Sequence, residues 1–304
     1  MDLKQLEVFV HVVKRNSFSK AANTVFLSQP TISAHISALE KELGTQLLVR
    51  STKEVQPTKA GMDFYLYAHN ILALRDQAIQ SVKKTNTNIQ GEIVLLSSSV
   101  PAQYLLPESI SQFSKRYPRI MIHVHQSNSD QVEKNFRGFL YDFGITGTRA
   151  TSNKYTQEPF YEDTLVFACP ADLDIDPPAV RQDIASFIRS QPFVMREAGS
   201  GTRHEMVKYL EKLDLTIQDL RPVCSFSNTQ GVINAVASGM GISFVSKAAV
   251  SLYVQEGLIK TLEIQNSFFN RKFYLLTKKG MTLSPIQSLF KYFLLEYFLQ
   301  KSAE

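Results

Sequence analysis

The sequence predicts an all-α winged helix-turn-helix head, then a long helix, then an α/β body of two lobes. Three observations predict it. Apolar residues recur at helical spacing through roughly the first eighty residues. From Glu92 onward, short apolar strands alternate with helices. The basic excess is concentrated at the N-terminal end, with eleven Lys and Arg against seven Asp and Glu in residues 1–90, a net +4 of the chain's +5. At 304 residues and 44% hydrophobic content the chain exceeds one comfortable core, so two or three globular domains are expected.

Composition also excludes classes. No stretch approaches the roughly 20 apolar residues that span a bilayer. The start at Met1-Asp2-Leu3-Lys4 carries no basic segment followed by an apolar run. The expectation is therefore a soluble, cytoplasmic protein without a membrane partner. Cys169 and Cys224 stand 55 positions apart with no CxxC pair, which reads as two buried reduced thiols.

In the head, Leu6, Phe9, Val10 and Val13 give a first amphipathic helix over Leu3–Val13. Ser17 or Ser19 caps a short second helix whose buried side is Ala21, Ala22 and Val25. Ser28 caps a third, with Pro30 in the first turn where a missing N–H costs nothing. Ile32, Ile36, Leu39 and Leu43 form its inward stripe. The opposite side carries Pro30, Ser33, Ala34, Ser37 and Lys41, small residues that let a helix backbone enter a major groove closely. Leu47–Gln56 reads as a two-stranded wing. Thr58 then caps a long helix in which Phe64, Tyr67, Ile71, Leu74, Ala78 and Val82 alternate by three and four, a coiled-coil seam that needs a partner helix. The polar run Lys83–Asn88 reads as a hinge. The boundaries are thus 1–57 for the head, 58–90 for the linker helix and hinge, and 91–304 for the body.

In the body the expected strands are Ile93–Ser97, Ile120–Val124, Tyr141–Ile145, Leu165–Ala168, Phe193–Met195, Val223–Phe226, Ile242–Val245, Leu258–Ile264 and Phe273–Thr277. Helices are expected over Tyr104–Tyr117 and Ser129–Phe136, from Ser200, from Asn228, and over Pro285–Gln300. Such alternation indicates βαβ units, here two Rossmann-like lobes of the periplasmic-binding-protein type. Lobe I takes about 91–162 and 268–304, lobe II about 163–267. Two crossing segments leave a cleft between them.

Candidate sites follow from these placements. At the start of the third helix, Ser28, Gln29, Thr31 and Ser33 face outward, and a Gln amide pairs bidentately with adenine. Lys20, Arg50 and Lys53 suit phosphates, although each also reads as plain solvated charge. In the body, Ser98-Ser99-Val100, Ser200-Gly201-Thr202 and Asn228-Thr229 each join a strand to a helix start. Helix capping alone accounts for every one. Three such termini converging on one cleft would also aim N–H groups at an anion. Arg203 would add charge there, and Thr146 and Gly147 either line the cleft or form the crossover. His123 and His125 share a strand face, but no third ligand lies nearby to favour a metal.

The run Phe18-Ser19-Lys20-Ala21-Ala22 through Leu27-Ser28-Gln29-Pro30-Thr31-Ile32-Ser33 to Leu39-Glu40-Lys41-Glu42-Leu43-Gly44 resembles the signature of the LysR-type transcriptional regulators. Leu47–Ser51 and Pro57–Gly61 continue it, with Leu48 and Pro57 where Phe and Leu are more usual. Tyr104–Pro107, Tyr141–Ile145 (Phe143 replacing Leu) and Gly239–Ile242 resemble landmarks of the effector domain. Arg196–Arg203 is similar to the branch governing sulfur assimilation, carbon dioxide fixation and selenium metabolism. The resemblance implies a dimer or tetramer on an interrupted palindromic DNA operator. It also implies a small-molecule co-inducer that alters DNA bending. RNA polymerase stands as a further candidate partner.

Two other classes compete with this reading. A hydrolase or nucleotide enzyme would need a G-x-S-x-G elbow or a G-x-x-x-x-G-K-[ST] loop, and the chain has neither. A cytoplasmic small-molecule-binding protein would leave residues 1–90 without a role. The expectation is a DNA-binding regulator without enzymatic activity or cofactor, sensing a small anionic metabolite.

Overall fold

Local capping chemistry lays out the head. Helix α1 (Leu3–Arg15) starts at Asp2, whose carboxylate accepts Gln5 N at 2.8 Å while Gln5 Oε1 accepts Asp2 N at 2.9 Å. Ser17 caps α2 (Phe18–Val25), which stops at Phe26 with a left-handed φ of 55° and a ring 92% exposed. Ser28 caps α3 (Gln29–Leu43). Ile32, Ile36 and Leu39 are fully buried against α1 and α2, and truncating any of them to Ala should cost about 2–5 kcal/mol. Leu43, expected to complete that stripe, is exposed, since it is the last residue before the Gly44 turn and lies past the packed face.

The computed structural model describes residues 1–50, 55–82, 89–177, 180, 183–262 and 270–301. Lys53 and the hinge Lys83–Asn88 lie outside the described residues, and only the backbone of Arg50 is described. The wing pairs β1 (Leu48–Arg50) with β2 (Val55–Pro57) antiparallel. Glu40 Oε1 accepts Leu47 N at 2.8 Å and Leu48 N at 3.1 Å, fixing the wing to α3. Helix α4 (Lys59–Val82) begins where Thr58 Oγ1 accepts Gly61 N at 2.9 Å. A Cβ on Gly61 would sit 2.0 Å from Leu47 O, so only glycine lets α4 lie this close to the wing.

The body runs β3 (Gly91–Ser98), a π turn (Pro101–Leu105) into α5 (Leu106–Arg116), β4 (Ile120–Ser127), α6 (Ser129–Asn135), β5 (Phe143–Thr146) and β6 (Tyr155–Pro170). Then follow α7 (Ile184–Ser190), β7 (Pro192–Arg196), α8 (Gly201–Lys212), β8 (Arg221–Phe226), α9 (Thr229–Ala237), β9 (Ser243–Ser246), α10 (Lys247–Gln255) and β10 (Ile259–Leu262). The chain returns through β11 (Asn270–Lys278) to α11 (Pro285–Lys301).

In lobe I the strand order is β4-β3-β5-β11-β6, with β3 parallel to β4 and β5, and β11 antiparallel to both its neighbours. The far half of β6 belongs to lobe II, where Leu165–Ala168 pairs with β9 and Phe167–Pro170 with β10. Parallel β7 and β8 complete that lobe. The sequence pattern anticipates only Leu165–Ala168 of this 16-residue strand. Its first half, with Glu158, Pro159, Glu162 and Asp163, shows no clean alternation, and its ladder with β11 forms it. Helices α7 and α10 are also additional to expectation, and the expected Tyr104–Tyr117 helix opens as the π turn.

Head and body are packed together within the chain. Tyr65 of α4, 1% exposed, stacks on Phe139 with ring centroids 3.8 Å apart. Phe139 and Met281 of the body join the core of the head. Asn70 brackets the turn after β11, donating to Gly280 O and accepting from Thr282 N, each at 2.7 Å.

Candidate functional site

The helix-turn-helix presents Lys20, Ser28, Gln29, Pro30, Ala34 and Ser37 to solvent, with Thr31 and Ser33 half-buried between them. Ser28 caps rather than projects, since its hydroxyl accepts Thr31 N at 3.3 Å and lies 2.7 Å from Thr31 Oγ1. Ser19 Oγ donates to Gln29 Oε1 at 2.9 Å. That bond orients the Gln29 amide from the neighbouring helix and leaves its Nε2 donors and a second Oε1 lone pair for a base edge. No single residue carries the contact surface. What α3 exposes is a face of small residues with one preset amide at its start.

On the long helix the expected seam divides. Phe64 packs on Phe9 at 5.3 Å in the core of the head, whereas Tyr67, Ile71, Leu74, Ala78 and Val82 are exposed on one chain. A row of large apolar side chains left in water is the mark of a surface that meets a partner.

The second site lies between the lobes. Ser98, Ser99 and Val100 from the end of β3 face Ser200, Gly201 and Thr202 at the start of α8 across a small cavity. About 220 Å³ of space, part of it open to solvent, lies among the lining atoms, and about 10 Å³ of it takes the centre of a water-sized sphere. That is room for about one such sphere. Asn128, Ser129, Arg196, Arg271 and Phe273 complete the wall, none of them among the sequence candidates.

Both arginines are buried and already engaged. Arg196 meets Glu197 through Nε at 2.8 Å and Nη2 at 3.0 Å, donates from Nη1 to Thr229 Oγ1 at 2.7 Å, and reaches Ser99 Oγ at 3.4 Å. Arg271 crosses from β11, donating to Asp163 Oδ2 at 2.9 Å and to Thr202 Oγ1 at 3.1 Å, with its guanidinium over the Phe273 ring at 4.8 Å. Asp163 also accepts from Ser246 Oγ at 2.6 Å. Burial pushes the Asp163 carboxyl above its ordinary range, while Arg271 and Ser246 pull it back. Ser98 Oγ is buried with no partner, an unsatisfied donor at the cavity wall.

The remaining candidates separate from the cavity. Asn228 caps α9 through Gly231 N at 2.8 Å, and Thr229 serves Arg196 from behind. Arg203 donates to Arg196 O at 2.8 Å, so its charge is directed to backbone rather than offered to the cleft. Ser200, not Thr202, is the cap of α8. Thr146 is buried against Thr148 at 3.1 Å, and a Cβ on Gly147 would meet the Phe273 ring at 2.7 Å. His123 lies 4.0 Å from Glu92, and His125 stacks edge-on against Tyr141. Cys169 is buried and its thiol is pushed up to about 12, but Cys224 is only half-buried, against Met240 at 3.3 Å. Among the described residues no helix is long and apolar enough to cross a membrane.

Comparison with known proteins decides the family. Residues 3–62 match the bacterial regulatory helix-turn-helix of the lysR family, and residues 86–299 match the LysR substrate binding domain. The chain belongs to the LysR family of transcriptional regulators.

This LysR-family regulator is 34% identical over 270 residues to the HTH-type transcriptional regulator CysL of Bacillus subtilis, covering 88% of each chain. It is 29% identical over 299 residues to the RuBisCO operon transcriptional regulator of Allochromatium vinosum, covering 97% of this chain and 96% of that one. These relatives are consistent with the branch that Arg196–Arg203 resembles. In fold it is similar to a full-length OxyR variant of Pseudomonas aeruginosa, with a TM-score of 0.74 at 19% identity over 98% of this chain and 94% of that one. It is also similar to full-length CbnR complexed with target DNA, with a TM-score of 0.54 at 17% identity over 98% and 100% of the chains. LysR regulators bind DNA operators and small-molecule effectors and oligomerise, and they are not enzymes. The missed wall residues had a partial signal. Arg196 directly follows the expected strand Phe193–Met195, just before the Ser200 helix, whereas Arg271 is far in sequence from the Asp163 and Thr202 that it bonds.

Proposed function

We propose that this regulator senses a compact oxyanion held between Ser98–Ser99 and Ser200–Thr202, and reads its operator through α3. One observation carries the effector reading: Ser98 Oγ has no partner in a cavity walled by two guanidinium groups and sized for about one water-sized sphere. Charge-assisted N–H and O–H donors around so small a space favour an acceptor-only ligand of few atoms. A tetrahedral oxyanion, larger than one water, requires the walls to widen slightly, whereas aromatic or extended effectors would require the lobes to part. Because Glu197 and Asp163 already neutralise the two arginines, recognition rests on hydrogen-bond geometry more than on net charge.

The seam from Tyr67 to Val82 supports a second copy as the partner of α4. The cytoplasm, where the DNA is, is the place of action that fits a DNA-binding family with no membrane-crossing helix among the described residues.

The test is a thermal-shift and calorimetry panel on the full chain with sulfate, sulfite, thiosulfate, selenite, phosphate and small carboxylates. Stabilisation by one or more compact oxyanions is expected. Stabilisation by neutral or aromatic compounds alone would overturn the reading.

A further inference from the structure

Two parallel strands join the head to the effector cavity. At one end Lys14 of α1 meets Asp142 Oδ1 at 2.7 Å, with the carboxylate only 5% exposed. Asp142 is held from two further directions: Gln287 Nε2 of α11 donates to Oδ1 at 2.9 Å, and Val94 N of β3 donates to Oδ2 at 2.7 Å. Asp142 immediately precedes β5, which runs beside β3 in register, Leu95 to Phe143 and Ser97 to Ile145. At their other ends β3 delivers Ser98 and Ser99 to the cavity, and β5 ends at Thr146, behind the cavity wall rather than in it. Thr146 hydrogen-bonds Thr148, whose methyl lies 3.3 Å from where a Cβ on Gly201 would stand.

The strut is stiff. Leu95, Phe143 and Ile145 are fully buried, and four strand residues span about 13 Å with no bulge in their pairing with β3. A displacement at the cavity end therefore has no soft element in which to dissipate before Asp142. Lys14 is the only group of the head that Asp142 is seen to bond among the described residues, so the head receives that displacement as a changed ion pair.

We propose that Asp142 is a positioning residue that couples effector occupancy to the seating of the winged head through its ion pair with Lys14. The coupling rests on the effector reading above for its natural trigger, but the strut itself is testable without a ligand. Tyr65 on Phe139 and Asn70 at Gly280 keep the head near the body when the pair breaks, so what changes is registration rather than attachment.

The experiment is hydrogen exchange on the full chain, comparing wild type with Lys14→Met, which keeps the aliphatic stem and touches no cavity residue. Amides at Ser98, Ser99 and Thr146 should exchange at least tenfold faster in the variant. Asp142→Asn, which keeps the shape and one acceptor oxygen but removes the charge and the second acceptor, should do the same. Acceleration confined to α1 and α4, with the cavity amides at wild-type rates in both variants, would reduce the pair to a structural contact and overturn the proposal. A second arm measures affinity for DNA selected by the protein from a random pool, with and without sulfate. Lys14→Met should lose the sulfate-dependent change while binding sulfate within twofold of wild type. Absence of any sulfate or other oxyanion effect in wild type would count against the effector reading alone, leaving the exchange comparison to decide the strut.

Discussion

Arg271 Nη1 donates to Thr202 Oγ1 at 3.1 Å, so a strand that returns to lobe I holds the first turn of a lobe II helix across the cavity. The bond is buried at both ends, with Arg271 7% and Thr202 5% exposed. Since Ser200 supplies the cap of α8, Thr202 is available for this contact and for a ligand.

Thr202→Ala should therefore weaken binding of the oxyanion found in the panel by about five- to tenfold, the worth of one hydrogen bond of about 1–1.4 kcal/mol. Thr202→Ser should restore most of it. Calorimetry on the full chain checks both, and equal affinity in all three proteins would remove Thr202 from the site.

Replacing Arg271 by Met leaves Asp163 buried with Ser246 as its remaining partner. Breaking a buried pair from one side costs about 3–5 kcal/mol, so this variant should unfold at much lower denaturant concentration. Changing Asp163 to Asn in the same chain should recover part of the loss, and denaturant titration of both tests it.

Gln29→Ala should cost about 1–3 kcal/mol on DNA selected by the wild-type protein and leave binding to random DNA nearly unchanged. Ser19→Ala, which frees the Gln29 amide without removing it, should give a smaller loss of the same kind. A gel-shift or anisotropy comparison on the two DNAs reads the difference, and equal losses on both would assign Gln29 to backbone contact.

Ile71→Asp should split the oligomer or destabilise it, because the aspartate would be desolvated against a partner helix. Sedimentation should show a dissociation constant raised at least tenfold. An unchanged oligomer of unchanged stability would take Ile71 out of the interface.

Acid should loosen the head. His69, half-buried beside Lys14, Asp142 and Lys278, is pulled down to about 4, mainly by desolvation. The unfolded state binds its proton from about pH 6.5 downward and the native state only near 4, so stability falls as pH drops through that window. Lys278, whose Nζ donates to Tyr141 O at 2.7 Å and faces the Phe136 ring, is lowered to about 7 by burial despite Asp142. Its penalty therefore grows between about pH 10.5 and 7 and is constant below. Thermal unfolding of His69→Gln should show a flatter profile between pH 4 and 6.5 than wild type, and an unchanged slope would assign the acid loss elsewhere.

The head was legible because its signals are local: Ser28, Pro30 and the stripe Ile32–Leu39 lie within one helix of each other. The strand ends at Ser98 and Ser200 were legible for the same reason, as strand-to-helix junctions. Arg271 was not. It sits 69 residues beyond Thr202, and an Arg in a mixed strand reads as surface until a partner such as Asp163 is placed against it. Phe64 was misassigned to the seam because heptad spacing gives a helix face but not which neighbour covers it, and Phe9 covers it here. Arg203 failed as a ligand because α8 turns it back toward Arg196 O.

Strand β6 serves both lobes without interruption, pairing with β11 through Thr164 and with β9 from Leu165. From Tyr161 onward, past the irregularity at Phe160 where the register with β11 slips by one residue, parity is shared: every side chain of the lobe II half is assigned to a face by counting from this part of the strand. Inserting or deleting one residue near Asp163 would turn Val166 and Phe167 each toward the other's core, a change that no local loop could absorb. Length variation in relatives of this chain should accordingly be tolerated in the connections after Pro170 and excluded from the strand itself.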